Sequence, residues 1–272
     1  MTKILVLASD LHVGGSSGLL PPGFLSFEGN EIKQNPYQKW LWEKWGDCWE
    51  WSRKIIGKDK WYCAINGDII DGNHHMTREI ISPDVADHIA ASVKVLSDVL
   101  QDSEGVYVTE GTNVHVNNSE HGIAMSLKYQ GVKVISPNKN KVAWPEMDIV
   151  IHGCRCAIDH HVSTSTKPST ESSTYSQTLS TVQDRYVRAG WKVPKFLVRS
   201  HRHQFGYFSD GYRSMVILPP WQGATRFTRR VVPRVIPQCG LVIADWRNVE
   251  HGEPPVIHSR IHTIPQGSPQ FL

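Results

Sequence analysis

Asp10 and His12 lie two residues apart in "SDLH", and His201 and His203 lie two apart in "SHRH". Between these pairs come Asp68 and Asp71 in "GDIID", Asn113 and His115 in "GTNVH", and Asp159, His160 and His161 in "DHH". Carboxylate, imidazole and amide side chains all bind metals. Alternate residues of an extended segment point the same way, so Asp-x-His and His-x-His each make a two-pronged grip. One such triplet is weak evidence, but five groups in succession, each at the end of a short apolar run, are not an accident. Mixed oxygen and nitrogen donors suit Mn²⁺, Fe or Zn²⁺, whereas calcium favours oxygens throughout. The candidates exceed what one ion can use and match two ions that share a carboxylate. Paired ions roughly 3.5–4 Å apart clamp the attacking and leaving oxygens of a phosphoryl displacement and acidify bound water. That is the chemistry the residues point to.

Each group must be delivered by an element. β-rich runs at Ile4–Ala8, Trp61–Asn66, Val106–Glu110, Cys156–Asp159 and Phe196–Ser200 end at the five groups. Further strands are expected at Val132–Ser136, Asp148–His152, Ser214–Leu218 and Leu241–Asp245. In an open αβ sheet, ligands bind beyond the carboxyl ends of strands, where these residues fall. Helical spacing covers Val85 to Leu100, with Ser82 or Asp84 able to cap it. It also covers 39–56, "KWLWEKWGDCWEWSRKII", where Leu41, Trp42, Trp45, Cys48, Trp49 and Ile56 form one stripe. That stripe is expected to face the core, and Trp40 and Trp51 share a flank that could instead serve a ligand or partner. The Ser/Thr-rich stretch 163–181 is a loop by composition, passing into a helix near Tyr175–Ala189. It follows His160 directly, so it is placed either to contact phosphate or as plain surface. The pattern predicts an α/β (α+β) fold built in layers on mixed sheets.

The 272 residues, 40% hydrophobic, suffice for one substantial core. One domain over 1–272 is expected, with 219–272 as a candidate C-terminal extension. A net charge of +3 argues against a protein held on nucleic acid or membrane by bulk charge, although a local basic patch remains open. The five cysteines form no CxxC pair, which fits a reducing, cytoplasmic setting, and no run of about 18 apolar residues predicts a membrane span.

With these residues assembled, the chain resembles the calcineurin-like metallophosphoesterase superfamily. The superfamily's motifs D-x-H, G-D-x-x-D, G-N-H-[DE], H and G-H-x-H are met here at 9–12, 67–71, 111–115, 159–161 and 200–203. The resemblance implies a four-layer sandwich of two mixed β-sheets flanked by helices. It implies hydrolysis of a phosphate ester, a phosphodiester favoured, by attack of metal-bound hydroxide. Carried over, Asp10, His12 and His203 hold one divalent ion, His160 and His201 the other, and Asp68 bridges both. Mn²⁺ is the expected metal, with Fe or Zn²⁺ as alternatives. His161 competes with His160 for one place, and Asp71 is expected to orient a ligand histidine.

Two departures from the motifs stand out. In "GTNVH" a turn one residue longer would make Asn113 the ligand and His115 the acid; otherwise His115 is itself the ligand. Ser200 replaces a glycine in "SHRH". A second histidine pair, "GNHH" at 72–75, follows no strand and is expected near the mouth, where His74 could touch substrate. His152 is expected to be structural or orienting, and His88, His121, His251, His258 and His262 match no motif position. Downstream, Arg226, Arg229, Arg230 and Arg234, with Trp221 and Phe227, form a strip suited to phosphates and bases. It supports a nucleotide or nucleic-acid substrate and, as an alternative activity, a nuclease acting on DNA or RNA. A different class is a non-catalytic scaffold on the same fold, since the retromer complex uses a member of this superfamily as a binding subunit. Oligomeric state has no signal in the sequence.

Overall fold

The apolar run near the start forms β1 (Ile4–Ala8), buried on both faces, which is why its side chains show no polar alternation. Ile4, Val6 and Ala8 join one core and Leu5 and Leu7 another. The structure, a computed structural model, describes residues 2–73, 77–116, 119–162, 171–225 and 236–263.

β1 sits in the middle of a five-stranded mixed sheet. On one side it pairs in parallel with β4 (Tyr62–Asn66), which pairs in parallel with β5 (Gly105–Thr109). On the other side it pairs antiparallel with β11 (Gln238–Asp245), which carries β12 (Val256–Thr263) at the edge. A second mixed sheet has the order β6 (Met147–Ile151), β7 (Cys154–Ile158), β8 (Phe196–Arg199), β10 (Ser214–Ile217), β9 (Gly206–Ser209). A two-stranded hairpin, β2 (Phe24–Leu25) and β3 (Glu31–Ile32), lies apart.

Three apolar clusters define four layers. α1 (Pro36–Ile56), α2 (Val85–Leu100) and α4 (Ser119–Tyr129) cover the outer face of the first sheet. Leu5, Leu7, Phe196, Val198, Val216 and Trp246 fill the space between the sheets. Leu179 and Tyr175 of α5 (Glu171–Arg188) cover the outer face of the second sheet over Leu197, Met215 and Ile217. The expected sandwich of two mixed sheets flanked by helices is the fold.

α1 begins before the tryptophan run because Asn35 and Gln38 form a capping box with Pro36 in the first turn. Leu41, Trp45, Cys48, Trp49 and Ile56 of the expected stripe are buried, while Trp42 joins Trp40 and Trp51 as partly buried packing against the same core. The Asp84 carboxylate caps α2 by accepting from the Ala86 amide.

Several expectations are corrected. Residues 132–136 are not a strand; they lie along β5 through Val106 N–H to Lys133 O and Ile135 N–H to Val106 O, forming a single bridge. A short helix α3 (Asn113–Val116) and α4 follow β5, where no helix was expected. α5 starts within the Ser/Thr-rich stretch, of which 163–170 lie outside the described residues. The tail from Gly252 is open in the sequence to packing as a final strand or to extending towards a neighbour, and its residues 256–263 form an edge strand of the first sheet. No helix among the described residues is long and apolar enough to cross a membrane, and all five cysteines are free and buried.

Candidate metal centre

The five strand ends converge at one end of the sandwich. Past β1 and β4 the two chains stay paired through Asp10 N–H to Gly67 O, His12 N–H to Asp68 O and Val13 N–H to Ile69 O. Past β7 and β8, Ser200 N–H donates to His160 O. Among the described residues, six non-glycine residues have positive φ: Asp10, His12, Asp68, His201, His203 and His152. Five of these are candidate ligands. The left-handed region is disfavoured for residues with a Cβ, and such strain gathers at functional sites. Two glycines permit the close approach of the loops. A Cβ on Gly67 would strike the His160 ring, and one on Gly111 would strike the Asp68 backbone and carboxylate.

Asp10, His12 and His203 present ligand atoms that lie within 4.8 Å of one another, as do Asp10, Asp68 and His160. The same holds for His160, His161 and His201, and for His12, Asp71 and His115. His12 Nε2 faces His203 Nε2 at 3.1 Å. Asp10 Oδ1 is 3.4 Å from His203 Nε2 and 4.0 Å from His160 Nε2. Asp68 Oδ2 lies 3.1 Å from His160 Nε2, 3.9 Å from His201 Nδ1 and 4.0 Å from His12 Nε2. The Asp68 carboxylate therefore stands between the two sets of histidines.

Hydrogen bonds fix which ring nitrogens can bind. His160 Nδ1 lies 2.7 Å from the Asn66 carbonyl, which can only accept, so Nδ1 carries the hydrogen and Nε2 turns to the carboxylates. His12 Nδ1 is 3.0 Å from Asp71 Oδ1, which also accepts from Gln222 Nε2 at 3.1 Å. A carboxylate behind a histidine sets its tautomer and raises its basicity. Asp10, His12, Asp68 and His160 are all essentially excluded from solvent. Asp10 Oδ1 and His160 Nε2 are buried and make no well-formed hydrogen bond among the described residues, their near neighbours being the ionic contacts to His203 and Asp68. Ligand atoms gathered this closely and this deeply, without well-formed hydrogen bonds of their own, fit a cation among them.

The charges agree with that fit. Burial alone would raise the Asp10 carboxyl, but His160 and His203 outweigh it and hold it at about 2. Asp68 is likewise pulled well below the carboxylate range, as His160 and His201 overcome its burial. Burial opposes a charged His160, yet Asp10 and Asp68 push it up to about 9. His12 is raised as well, with Asp71 overcoming desolvation. An excess of buried anionic oxygens is attracting positive charge to this spot.

The third motif is rearranged. Asn113 is the exposed first residue of α3, not a residue of an extended turn. The side chain that reaches in is that of Thr112, whose amide donates to Asp68 Oδ1 at 2.6 Å. Its hydroxyl lies 3.2 Å from both Asp68 Oδ2 and His201 Nδ1. His115 stands edge-on to His12, with ring centroids 4.9 Å apart, and its Nδ1 donates to the Asp71 carbonyl. Burial and then the nearby His12 lower it to about 4. His160 is buried and His161 exposed, with their rings edge to face.

His74 and the four strip arginines lie outside the described residues, as does Phe227. Trp221, expected to offer a face for base stacking, is instead fully buried against Trp45. It comes close to the site only through its backbone, donating to the Asp10 carbonyl. The His152 and His88 rings each meet a backbone carbonyl, that of Val249 and that of Ser82. Thr112, Gln222, Asn66 and Ser200 contact the cluster without having been singled out as ligands. Only Ser200 carried a signal in the sequence, as a departure from glycine.

The motif residues thus meet in this chain at one end of a sandwich of two mixed sheets. Among solved structures the chain is similar to Vps29 from Cryptosporidium parvum, with 13% identity, 96% of this chain and 98% of that chain covered, and a TM-score of 0.41. It is also similar to an archaeal phosphodiesterase, with 8% identity, coverage of 95% and 99%, and a TM-score of 0.44. A conserved protein of Streptococcus pneumoniae described as a predicted phosphoesterase shares 10% identity, with coverage of 96% and 97% and a TM-score of 0.35. No protein-family model and no curated protein matches the sequence.

Proposed function

We propose that the chain is a dinuclear-metal-dependent phosphoesterase, a phosphodiester being favoured as substrate. The observation that carries this reading is the convergence of five left-handed Asp and His residues around two buried ligand atoms, Asp10 Oδ1 and His160 Nε2, that make no well-formed hydrogen bond. Asp10, His12 and His203 would hold one divalent ion, His160 and His201 the other, and Asp68 would bridge them. Thr112 replaces Asn113 as the residue of the third motif that meets Asp68. Mn²⁺ suits these donors best, and Fe or Zn²⁺ fits them too. When bound, such a pair supplies Lewis acidity towards phosphoryl oxygens and acidifies water to near neutral pH.

The chain's own residues do the rest. Asp71 and Gln222 hold the His12 ring in place, and the Asn66 carbonyl fixes His160 with Nε2 directed inward. The burial of Asp10 and Asp68 excludes bulk water, which strengthens every electrostatic interaction at the reacting phosphorus. His115, half-buried beside His12, is the proton donor for the leaving group. An anionic phosphoryl group beside it raises its affinity for a proton. We place the activity on a single domain spanning the chain, in a reducing, cytoplasmic setting consistent with five free thiols.

The test is turnover of bis(p-nitrophenyl) phosphate by chelator-stripped protein as Mn²⁺ is added, with p-nitrophenyl phosphate and Asp68→Asn alongside. Metal-dependent hydrolysis of the diester that is lost in Asp68→Asn is the expected result. Failure of the wild-type chain to bind any divalent ion would overturn the enzyme and leave a scaffold on this fold.

A further inference from the structure

We propose that Asn66 is a positioning residue for His160 and His201, acting through Ser200 and the end of β7. This inference rests on the metal-dependent reading above and concerns a residue that none of the strand-end motifs contains.

Asn66 is the last residue of β4 and is completely buried between the two sheets. Every polar atom of its side chain is engaged. Its Nδ2 donates to Ser200 Oγ at 2.6 Å and to the Asp159 carbonyl at 3.1 Å. Its Oδ1 accepts from Thr109 Oγ1 at 2.7 Å. Its backbone carbonyl lies 2.6 Å from Ser9 Oγ and accepts from His160 Nδ1 at 2.7 Å. The Ser9 hydroxyl is also 2.6 Å from Asp10 Oδ2. One residue therefore touches the ends of β1, β5, β7 and β8 as well as ending β4.

The contacts are not spread evenly. The two amide hydrogens go to Asp159 and Ser200, the residues immediately before His160 and His201. Both contacts cross from the first sheet to the second, and the Ser200 amide in turn donates to the His160 carbonyl. A shift of either strand end would carry its histidine with it. By contrast, His12 and His203 receive no contact from the Asn66 side chain, and His12 is held by Asp71. Ser200 stands where the resembled motif has glycine, and its hydroxyl is the acceptor that Asn66 uses. The replacement thus adds a cross-sheet tie at the point where the histidine pair leaves its strand.

The consequence is selective. Residues that orient metal ligands alter affinity by about 10–100-fold when lost. Replacing the amide by a carboxylate removes both donors and sets an oxygen against the Asp159 carbonyl, with little change in size. The experiment is calorimetric titration of the chelator-stripped full chain with Mn²⁺, for the wild type, Asn66→Asp, Ser200→Ala and Asp84→Ala. The last variant removes the α2 cap, remote from the cluster, and controls for destabilisation alone. Two ions per wild-type chain are expected. Asn66→Asp should weaken one of them by about tenfold or more while the other stays within about twofold. Ser200→Ala should weaken the same ion by a smaller factor, and Asp84→Ala should weaken neither.

Equal weakening of both ions, or binding of both within twofold of wild type by folded Asn66→Asp, would overturn the inference. If circular dichroism shows Asn66→Asp unfolded, Ser200→Ala alone decides, by the same criterion. Absence of Mn²⁺ binding by the wild type sinks the enzyme reading and this inference with it. It is seen before any variant is made, so the two failures are distinct.

Discussion

Glu120 begins the buried face of α4 with its side chain excluded from solvent. Burial pushes this carboxyl from 4.5 up to about 8; the negative Asp68 adds to the rise and His160 offsets part of it. The sign follows from proton counts. Between about 4.5 and 8 the folded protein keeps a proton on Glu120 that the unfolded chain has released. Stability is fully present below the lower value and is lost as pH rises, with no further loss above the upper one. At about 1.4 kcal/mol per pH unit, the loss between pH 5.5 and 8.5 is on the order of 2–3 kcal/mol. Glu120→Gln keeps the size and removes the ionisation. Urea unfolding of both proteins in chelator, followed by tryptophan fluorescence, gives the difference in stability at each pH. The variant should gain on wild type by about that amount over the window, whatever the gap at pH 5.5. The histidines and other carboxylates titrate in both proteins and largely cancel. A gap that stays constant within about 0.5 kcal/mol from pH 5.5 to 8.5 would refute the assignment of a neutral Glu120.

Three further outcomes are expected. Asp71→Asn weakens the carboxylate grip on His12 Nδ1 and should lower Mn²⁺ affinity by about 10–100-fold, read by calorimetry. Gly111→Ala drives a methyl group into the Asp68 backbone and carboxylate, so diester turnover should fall by at least about tenfold while far-UV circular dichroism is unchanged. Asp84→Ala removes the α2 cap and should cost about 1 kcal/mol, a fall of roughly 2–4 °C in thermal midpoint, without altering turnover.

The layers were legible because burial writes itself into the sequence. Strands covered on both faces, such as Ile4–Ala8 and Phe196–Arg199, are unbroken apolar runs, and the α2 stripe has a clear period. The edge strands were harder. Gly206–Ser209 alternates between half-buried and exposed and carries a glycine, and Val256–Thr263 mixes histidine, serine and arginine with isoleucine. α4 was hidden by its glycine and by the histidine-asparagine stretch before it, which reads as turn. At the site, the candidate ligand types stood out because five groups of them fell in succession at strand ends, where a single Asp-x-His would have said little. Thr112, Gln222 and Asn66 did not, because common polar residues acquire their roles only through partners far away in sequence. Asn66 and Ser200 are 134 residues apart, and nothing local links them. Asn113 illustrates the converse. Its type suited a ligand, but the chain turns into α3 one residue too early for it.

The backbone adds an argument that composition could not. Each left-handed residue with a side chain costs roughly 1–2 kcal/mol relative to an ordinary conformation. Five such residues gather at the candidate ligands, and Asp and His, though commoner there than most side chains, still bear part of that cost. Glycine would relieve that strain wherever the turn alone mattered. Aspartate and histidine occupy these positions instead, with Asp10, His12 and Asp68 buried. A chain needing only the fold gains nothing from this arrangement. A chain that binds cations recovers the energy on binding, because any ligand bound by the folded state alone stabilises it. Metal-free protein should therefore unfold at a clearly lower temperature than Mn²⁺-loaded protein, and the gap should shrink in Asp68→Asn. If chelation leaves the thermal midpoint of the wild type unchanged, the strain has some other origin and the cation site falls with it.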